Sequence, residues 1–200
     1  MKMKQKILLI SVIPMLMLGI IIIMLSSKRI ESVLTSNIEN GLRGTAIAVR
    51  ATFRKLNSEP YMLNENDELV EGDFNISQTV DLADDIKAGA NIDVSIFFGD
   101  TRYMTSVVDS EGKRILGGKA GPRAVEATLE KGEEFFATDA IVAEHEYFGY
   151  YIPLIDFESG KTVGMVFAGM PRADAEKEIE SIIILIAIAT VVLMVICTAL

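Results

Sequence analysis

Two stretches of the chain carry no charged side chain. Ile7 to Leu25 and Ile182 to Leu200 are each 19 residues long, enough for a helix to cross a hydrocarbon core of about 30 Å. The pattern predicts membrane-spanning helices at 7–25 and 182–200, a cytoplasmic start at 1–6 and an extracytoplasmic segment at 26–181. The competing reading of the first run is a cleaved leader, because Lys2, Lys4 and Lys6 stand ahead of it. Against that, the run exceeds the roughly 7–15 apolar residues of a leader, and Ser26-Ser27-Lys28-Arg29 follows in place of a small-x-small cleavage site. The same lysines set the N-terminus inside, which gives a two-pass protein of the inner membrane. Leu200 still lies within an apolar run and lacks a basic flank, which reads as truncation ahead of a cytoplasmic part.

Between the runs the period changes. Ile30, Leu34, Ile38, Leu42, Ala46, Val49, Phe53 and Leu56 recur at steps of three and four, predicting one long helix over 28–56 with a continuous apolar stripe. At 1.5 Å per residue it would span roughly 43 Å. Gly41 and Gly44 predict a kink or a close packing in its middle. Residues 57–75 hold Pro60, Asn64, Asn66 and Gly72 with no sustained period, and read as a loop. A short helix is expected near 79–88. The period then becomes two. Strands are expected at 94–98 and 101–108 across a Gly99-Asp100 turn, with a short one at 113–116. A helix over 123–131 ends at Gly132, and strands follow at 136–142, 146–155 and 162–168. Pro153 demotes part of its strand to an edge or a bulge. A polar helix, 173–180, runs into the second apolar run. Hairpins with helices before and between them predict an antiparallel sheet covered by helices, an α+β fold.

Composition sharpens this division. Half of the 200 residues are hydrophobic and 24% are charged. Three of the 19 basic residues precede the first run and all 28 acidic ones lie between the runs, so the middle segment carries 16 basic against 28 acidic side chains, a net −12. That balance argues against nucleic acid as a partner. One Cys, one His and no Trp exclude a disulfide framework and a multi-histidine metal site. Cys197 falls in the second run and reads as a small apolar residue. Glu144-His145-Glu146 reads as an exposed turn. Neither a nucleophile elbow nor a phosphate loop is found, so the chain is expected to be no enzyme and to need no cofactor.

Three groups of residues carry a resemblance. They are Asp93-Val94-Ser95-Ile96-Phe97-Phe98-Gly99-Asp100-Thr101-Arg102-Tyr103-Met104-Thr105-Ser106-Val107; Gly112-Lys113-Arg114 followed by Gly117-Gly118-Lys119-Ala120; and Tyr147-Phe148-Gly149-Tyr150-Tyr151-Ile152-Pro153-Leu154 with Gly164-Met165-Val166-Phe167-Ala168-Gly169. Together with the two apolar runs, they resemble the extracellular half of a bacterial methyl-accepting chemotaxis protein with a single Cache domain, a PAS-like sensor between two membrane helices. The resemblance covers about 93–171. It implies a small extracellular ligand, a homodimer, and a chemotaxis kinase and adaptor engaged through a HAMP linker and a methylated coiled coil not present in the sequence. The competing readings are the input half of a sensor histidine kinase or cyclic-dinucleotide enzyme, and a membrane-anchored interaction module without a small ligand.

Related sensors for citrate and C4-dicarboxylates use an arginine of this strand to grip a carboxylate, which points to Arg102, with Tyr103 beside it and Thr105 at i+3. A guanidinium fork matches two carboxylate oxygens, and a hydroxyl adds a further bond. The plain alternative is a surface cation paired with Asp100 or Glu111. Lys119, in a glycine-rich turn, is a second candidate, either closing over an anion or simply exposed. Tyr147, Tyr150 and Tyr151 are third. Alternation sets Tyr147 and Tyr151 on one face and Tyr150 on the other, so all three share a pocket only if a bulge intervenes.

Overall fold

The computed structural model describes residues 3–56 and 59–199. It comprises two compact units, Ile38–Arg172 and the pair Met1–Asn37 with Ala173–Leu200. Helix α1 (Met3–Leu56) begins in the paired unit and ends in the other. It is unbroken through Gly41 and Gly44, and a Cβ at either would meet nothing within 4 Å. Neither glycine breaks the helix or serves a close packing within this chain.

In the paired unit, α1 lies against a second long helix that begins at Arg172. Gly19 is buried, and a Cβ on it would come 3.2 Å from Thr190 Cγ2. Ile184, Leu185, Ile188, Leu193 and Val195 of that second helix are exposed. Among the described residues no helix is long and apolar enough to cross a membrane. The expected spans 7–25 and 182–200 fall partly on side chains outside the described residues, as do Ile30 and Leu56 of the predicted stripe.

In the unit Ile38–Arg172, the rest of the stripe is present: Leu42, Ala46, Val49 and Phe53 are all at most 1% exposed. This part of α1 is followed by three short strands, β1 (Tyr61–Leu63), β2 (Leu69–Glu71) and β3 (Phe74–Asn75), forming an antiparallel sheet. The expected loop over 57–75 is therefore corrected. The strands are too short to show alternation, and polar groups hold them together: the Glu68 carboxylate accepts from the side-chain amides of Asn64, Asn75 and Gln78. These bonds also hold its pKa below the ordinary carboxylate range. Helix α2 (Asp81–Ala90) follows, ending on Asn91 in the left-handed conformation.

The main sheet has five antiparallel strands in the order β5-β4-β8-β7-β6. They are β4 (Asp93–Phe98), β5 (Thr101–Thr105), β6 (Phe135–Val142), β7 (His145–Ile155) and β8 (Thr162–Pro171). The α+β architecture with an N-terminal helix is as the periodicity predicts. No strand forms over 113–116; isolated bridges join Val108 to Arg114 and Thr101 to Lys119. The Arg114 guanidinium is turned toward Asp84 and the Thr105 carbonyl instead. The helix expected over 123–131 starts as α3 (Pro122–Ala124) and widens into a π-helical turn, Val125–Glu130. Pro153 lies where β7 has a partner on one side only: β6 reaches no further than Tyr151, while Pro153 pairs with Met165 of β8. The absent N–H thus costs no ladder bond. Directly after β8 comes α4 (Arg172–Ala199).

Candidate ligand-binding site

Register decides which side chains share a face. Asp93, Ser95 and Phe97 of β4 pair with Gly169, Phe167 and Met165 of β8, which in turn meet Gly149, Tyr151 and Pro153 of β7. This face is covered by the segment from Ser106 to Glu130. Ala124, Val125, Leu129 and Ile115 of the cover pack on Phe97, Tyr147, Tyr151, Met165 and Phe167. Gly149 and Gly169 are cross-strand partners, and the Phe167 ring lies over both. A Cβ would come 2.6 Å from the ring at Gly149 and 2.2 Å at Gly169.

Arg102 reaches this face by an irregularity. Regular pairing from Ile96–Met104 would set Phe97 opposite Tyr103. The register shift sets it opposite Arg102 and leaves Tyr103 as the extra residue. The guanidinium carbon then stands 5.1 Å from the Phe97 ring centroid, and the side chain is 5% exposed as a residue. Nε is buried without a hydrogen-bond partner, and Nη1 lies 3.5 Å from the Ile115 carbonyl, long for a hydrogen bond. The turn at Gly117-Gly118 closes over it through backbone bonds in both directions. No ion pair to Arg102 forms among the described residues, and the expected surface pairing with Asp100 is made by Lys119 instead. Burial pulls the guanidinium pKa down, while Tyr151, Tyr147 and Asp93 draw it back up.

The other candidates are distributed by the same geometry. Tyr147 and Tyr151 lie on the covered face, both buried. The Tyr147 hydroxyl donates to Asp93 at 3.1 Å, and burial pushes the Tyr151 phenol to about 12. Tyr150 is on the opposite face, donating to Glu134, which also holds Arg43. The Thr105 hydroxyl is at most partly available, since it shares a hydrogen with Ser95 at 2.7 Å and accepts the Val107 N–H. Tyr103, half-buried, points its hydroxyl toward Asp67 and packs edge-on to Phe98. Lys119 is exposed, with bonds to Asp100 at 2.6 Å and Thr101 at 2.8 Å. His145 is exposed at the start of β7.

A cavity of about 260 Å³ opens under the cover, with Lys119, Arg123, Phe135, Asp139 and Tyr151 in its lining. Arg123 pairs with Asp139 at its rim. Arg102 is not part of this lining; the two are linked through Tyr151, whose phenol feels the Arg102 charge. Two polar groups on this side escaped sequence reasoning. Asp93, 2% exposed, accepts from Lys87, Ser106 and Tyr147, and the Thr128 hydroxyl in the π-helical turn is buried without a partner. Asp93 and Ser95 did leave a signal: two polar residues at i and i+2 in an otherwise apolar strand.

The family model for single cache domain 3 matches residues 74–182, more than half of the chain. The chain belongs to the single cache domain 3 family. Among curated proteins, none matches it. The match takes in the whole five-stranded sheet, its cover and the start of α4. Cache domains are typically extracytoplasmic sensor modules, and the antiparallel sheet with its N-terminal helix fits such a domain. The covered face holding Arg102 is thus part of a ligand-sensing input domain.

Proposed function

We propose that this Cache domain is the sensing half of a bacterial chemoreceptor that binds a small carboxylate at Arg102. One observation supports the ligand class above all others: Arg102 is 5% exposed, its Nε is unpartnered, and among the described residues no carboxylate forms an ion pair with it, Asp93 acting only as a nearby charge. A buried charge without an ion pair is costly, and a carboxylate entering by the cavity at Tyr151 would supply two acceptor oxygens for it. About 260 Å³ suits a short organic acid. Lys119 and Arg123 at the rim attract an anion, and both already have exposed carboxylate partners that they can exchange.

The uncharged runs 7–25 and 182–200, with the exposed apolar side chains of α4, support a two-pass anchor in the inner membrane with the Cache domain outside. The exposed face of α1 that carries Gly41 and Gly44 is the proposed homodimer surface. Binding acts as a signal, without chemistry on the ligand: it favours one state of the cover and sheet, and β8 passes the difference into α4 toward a chemotaxis kinase and its adaptor.

The test is the melting temperature of the full chain in detergent against a panel of short mono-, di- and tricarboxylates. An upward shift with at least one acid, absent in a folded Arg102→Ala variant, is expected. No shift with any carboxylate, or a shift that survives in Arg102→Ala, would remove the proposal.

A further inference from the structure

A second cavity, about 330 Å³, shares no lining residue with the first. Helix α1 contributes Arg50 and Arg54, β1 contributes Tyr61, β2 contributes Glu71, and the β7–β8 hairpin contributes Asp156 and Phe157. Both signs of charge meet in it. Arg50 and Arg54 are one helical turn apart, with Cβ atoms about 5–6 Å from each other. Among the described residues, Arg50 donates to the Pro153 carbonyl at 3.0 Å and its charge is felt by Glu134, and neither guanidinium forms an ion pair with a carboxylate.

The acidic side of the lining is Glu71 and Asp156. Glu71 is 2% exposed and bonded to the Tyr61 hydroxyl. Burial pushes its pKa up to about 7 against that bond, and the neighbouring Asp156 charge adds to the rise. Asp156 is ionised: its Oδ2 accepts the Ser159 N–H and hydroxyl, its Oδ1 accepts the Tyr61 N–H at 3.3 Å, and these bonds keep its pKa low. A buried acid whose proton affinity is raised by a neighbouring carboxylate is relieved by a cation, and two arginines one helical turn apart are completed by a carboxylate.

We infer that this cavity is a second binding site, for an α-amino acid zwitterion, with the carboxylate on Arg50 and Arg54 and the ammonium on Glu71 and Asp156. A dicarboxylate would set its second charge against the two acids, and a diamine would leave the arginines facing a cation. Leu154 and Phe157 supply apolar wall for the side chain of the ligand. The volume restricts the choice to small and medium amino acids.

Calorimetry on the full chain in detergent, with each proteinogenic L-amino acid in turn, tests this. At least one is expected to bind, and its analogues lacking the amino or the carboxyl group are expected to bind at least tenfold more weakly. Affinity should rise between pH 6 and 8 as Glu71 ionises; the charged or titratable groups around it are Tyr61, Asp156 and, beside Tyr61, Arg54. Glu71→Gln keeps the shape, and Arg54→Gln changes an exposed side chain; each should weaken binding at least tenfold. Arg102→Ala should leave it intact, which separates this site from the carboxylate site. Absence of binding by every amino acid overturns the inference. So does equal binding of the deaminated analogue, or binding lost in Arg102→Ala and unchanged in Arg54→Gln and Glu71→Gln.

Discussion

On the proposed reading, Arg102 is a stability cost retained for its ligand. A structural residue would leave a partner exposed on removal; among the described residues Arg102 has no ion pair, and it is held by a long contact to the Ile115 carbonyl, the Phe97 ring at 5.1 Å and the nearby charge of Asp93. Arg102→Met, which fills similar volume without charge, is therefore expected to stabilise the unliganded protein by about 1–3 kcal/mol while abolishing the carboxylate-dependent rise in melting temperature. Urea titration with and without ligand reads both effects, and a destabilised Arg102→Met would assign the residue to the fold. Glu71 makes the opposite kind of statement. Its folded pKa of about 7 lies above its ordinary 4.5, so between those values the folded state holds a proton that the unfolded state has lost. Stability must then fall as pH rises through that window, by roughly 2–3 kcal/mol in total. Glu71→Gln, which cannot titrate, should flatten this part of the stability profile measured from pH 4.5 to 7.5. An unchanged slope in the variant would show that the carboxyl titrates normally.

Elements bring these residues together through features of unequal visibility in the sequence. The five main strands were legible because each is long enough to show a period of two, and the opposition of Tyr150 to Tyr147 and Tyr151 follows from that period alone. Strands β1 to β3 were not legible: two or three residues show no period, and the amide bonds to Glu68 that hold them look like loop polarity. The direction of Arg102 was hidden for another reason. It depends on Tyr103 being the extra residue of a bulge, which pairing with β4 decides and no local pattern announces. A glycine inside a strand usually weakens it, yet Gly149 and Gly169 are where the Phe167 ring crosses from β8 over β7 to floor the covered face. Gly169→Ala forces that buried ring aside and should cost about 1–3 kcal/mol in thermal or urea unfolding. In a Phe167→Ala background the cost should shrink sharply, a coupling that a double-mutant cycle measures. An equal cost in both backgrounds would show that the backbone of β8, and not the ring, resists the methyl group.

At the scale of the whole molecule, output depends on continuity. Strand β8 ends at Pro171 and α4 starts at Arg172, so no residue of slack separates the strand at the centre of the sheet from the helix that leaves it. Arg172, the first residue of α4, lies 3.4 Å from Glu146 of β7 and over the Phe148 ring. A flexible insertion should therefore separate binding from signalling. With Gly-Ser-Gly placed between Pro171 and Arg172, the ligand-dependent melting shift is expected to persist, because neither cavity uses this junction. In a chimera carrying a chemoreceptor signalling domain after α4, the same insertion is expected to abolish ligand-dependent control of kinase activity, since three flexible residues absorb a displacement of the few ångströms that packed helices exchange between states. A chimera with the insertion that still responds to ligand would place the signal on a route other than β8 to α4, with α1 as the remaining covalent path.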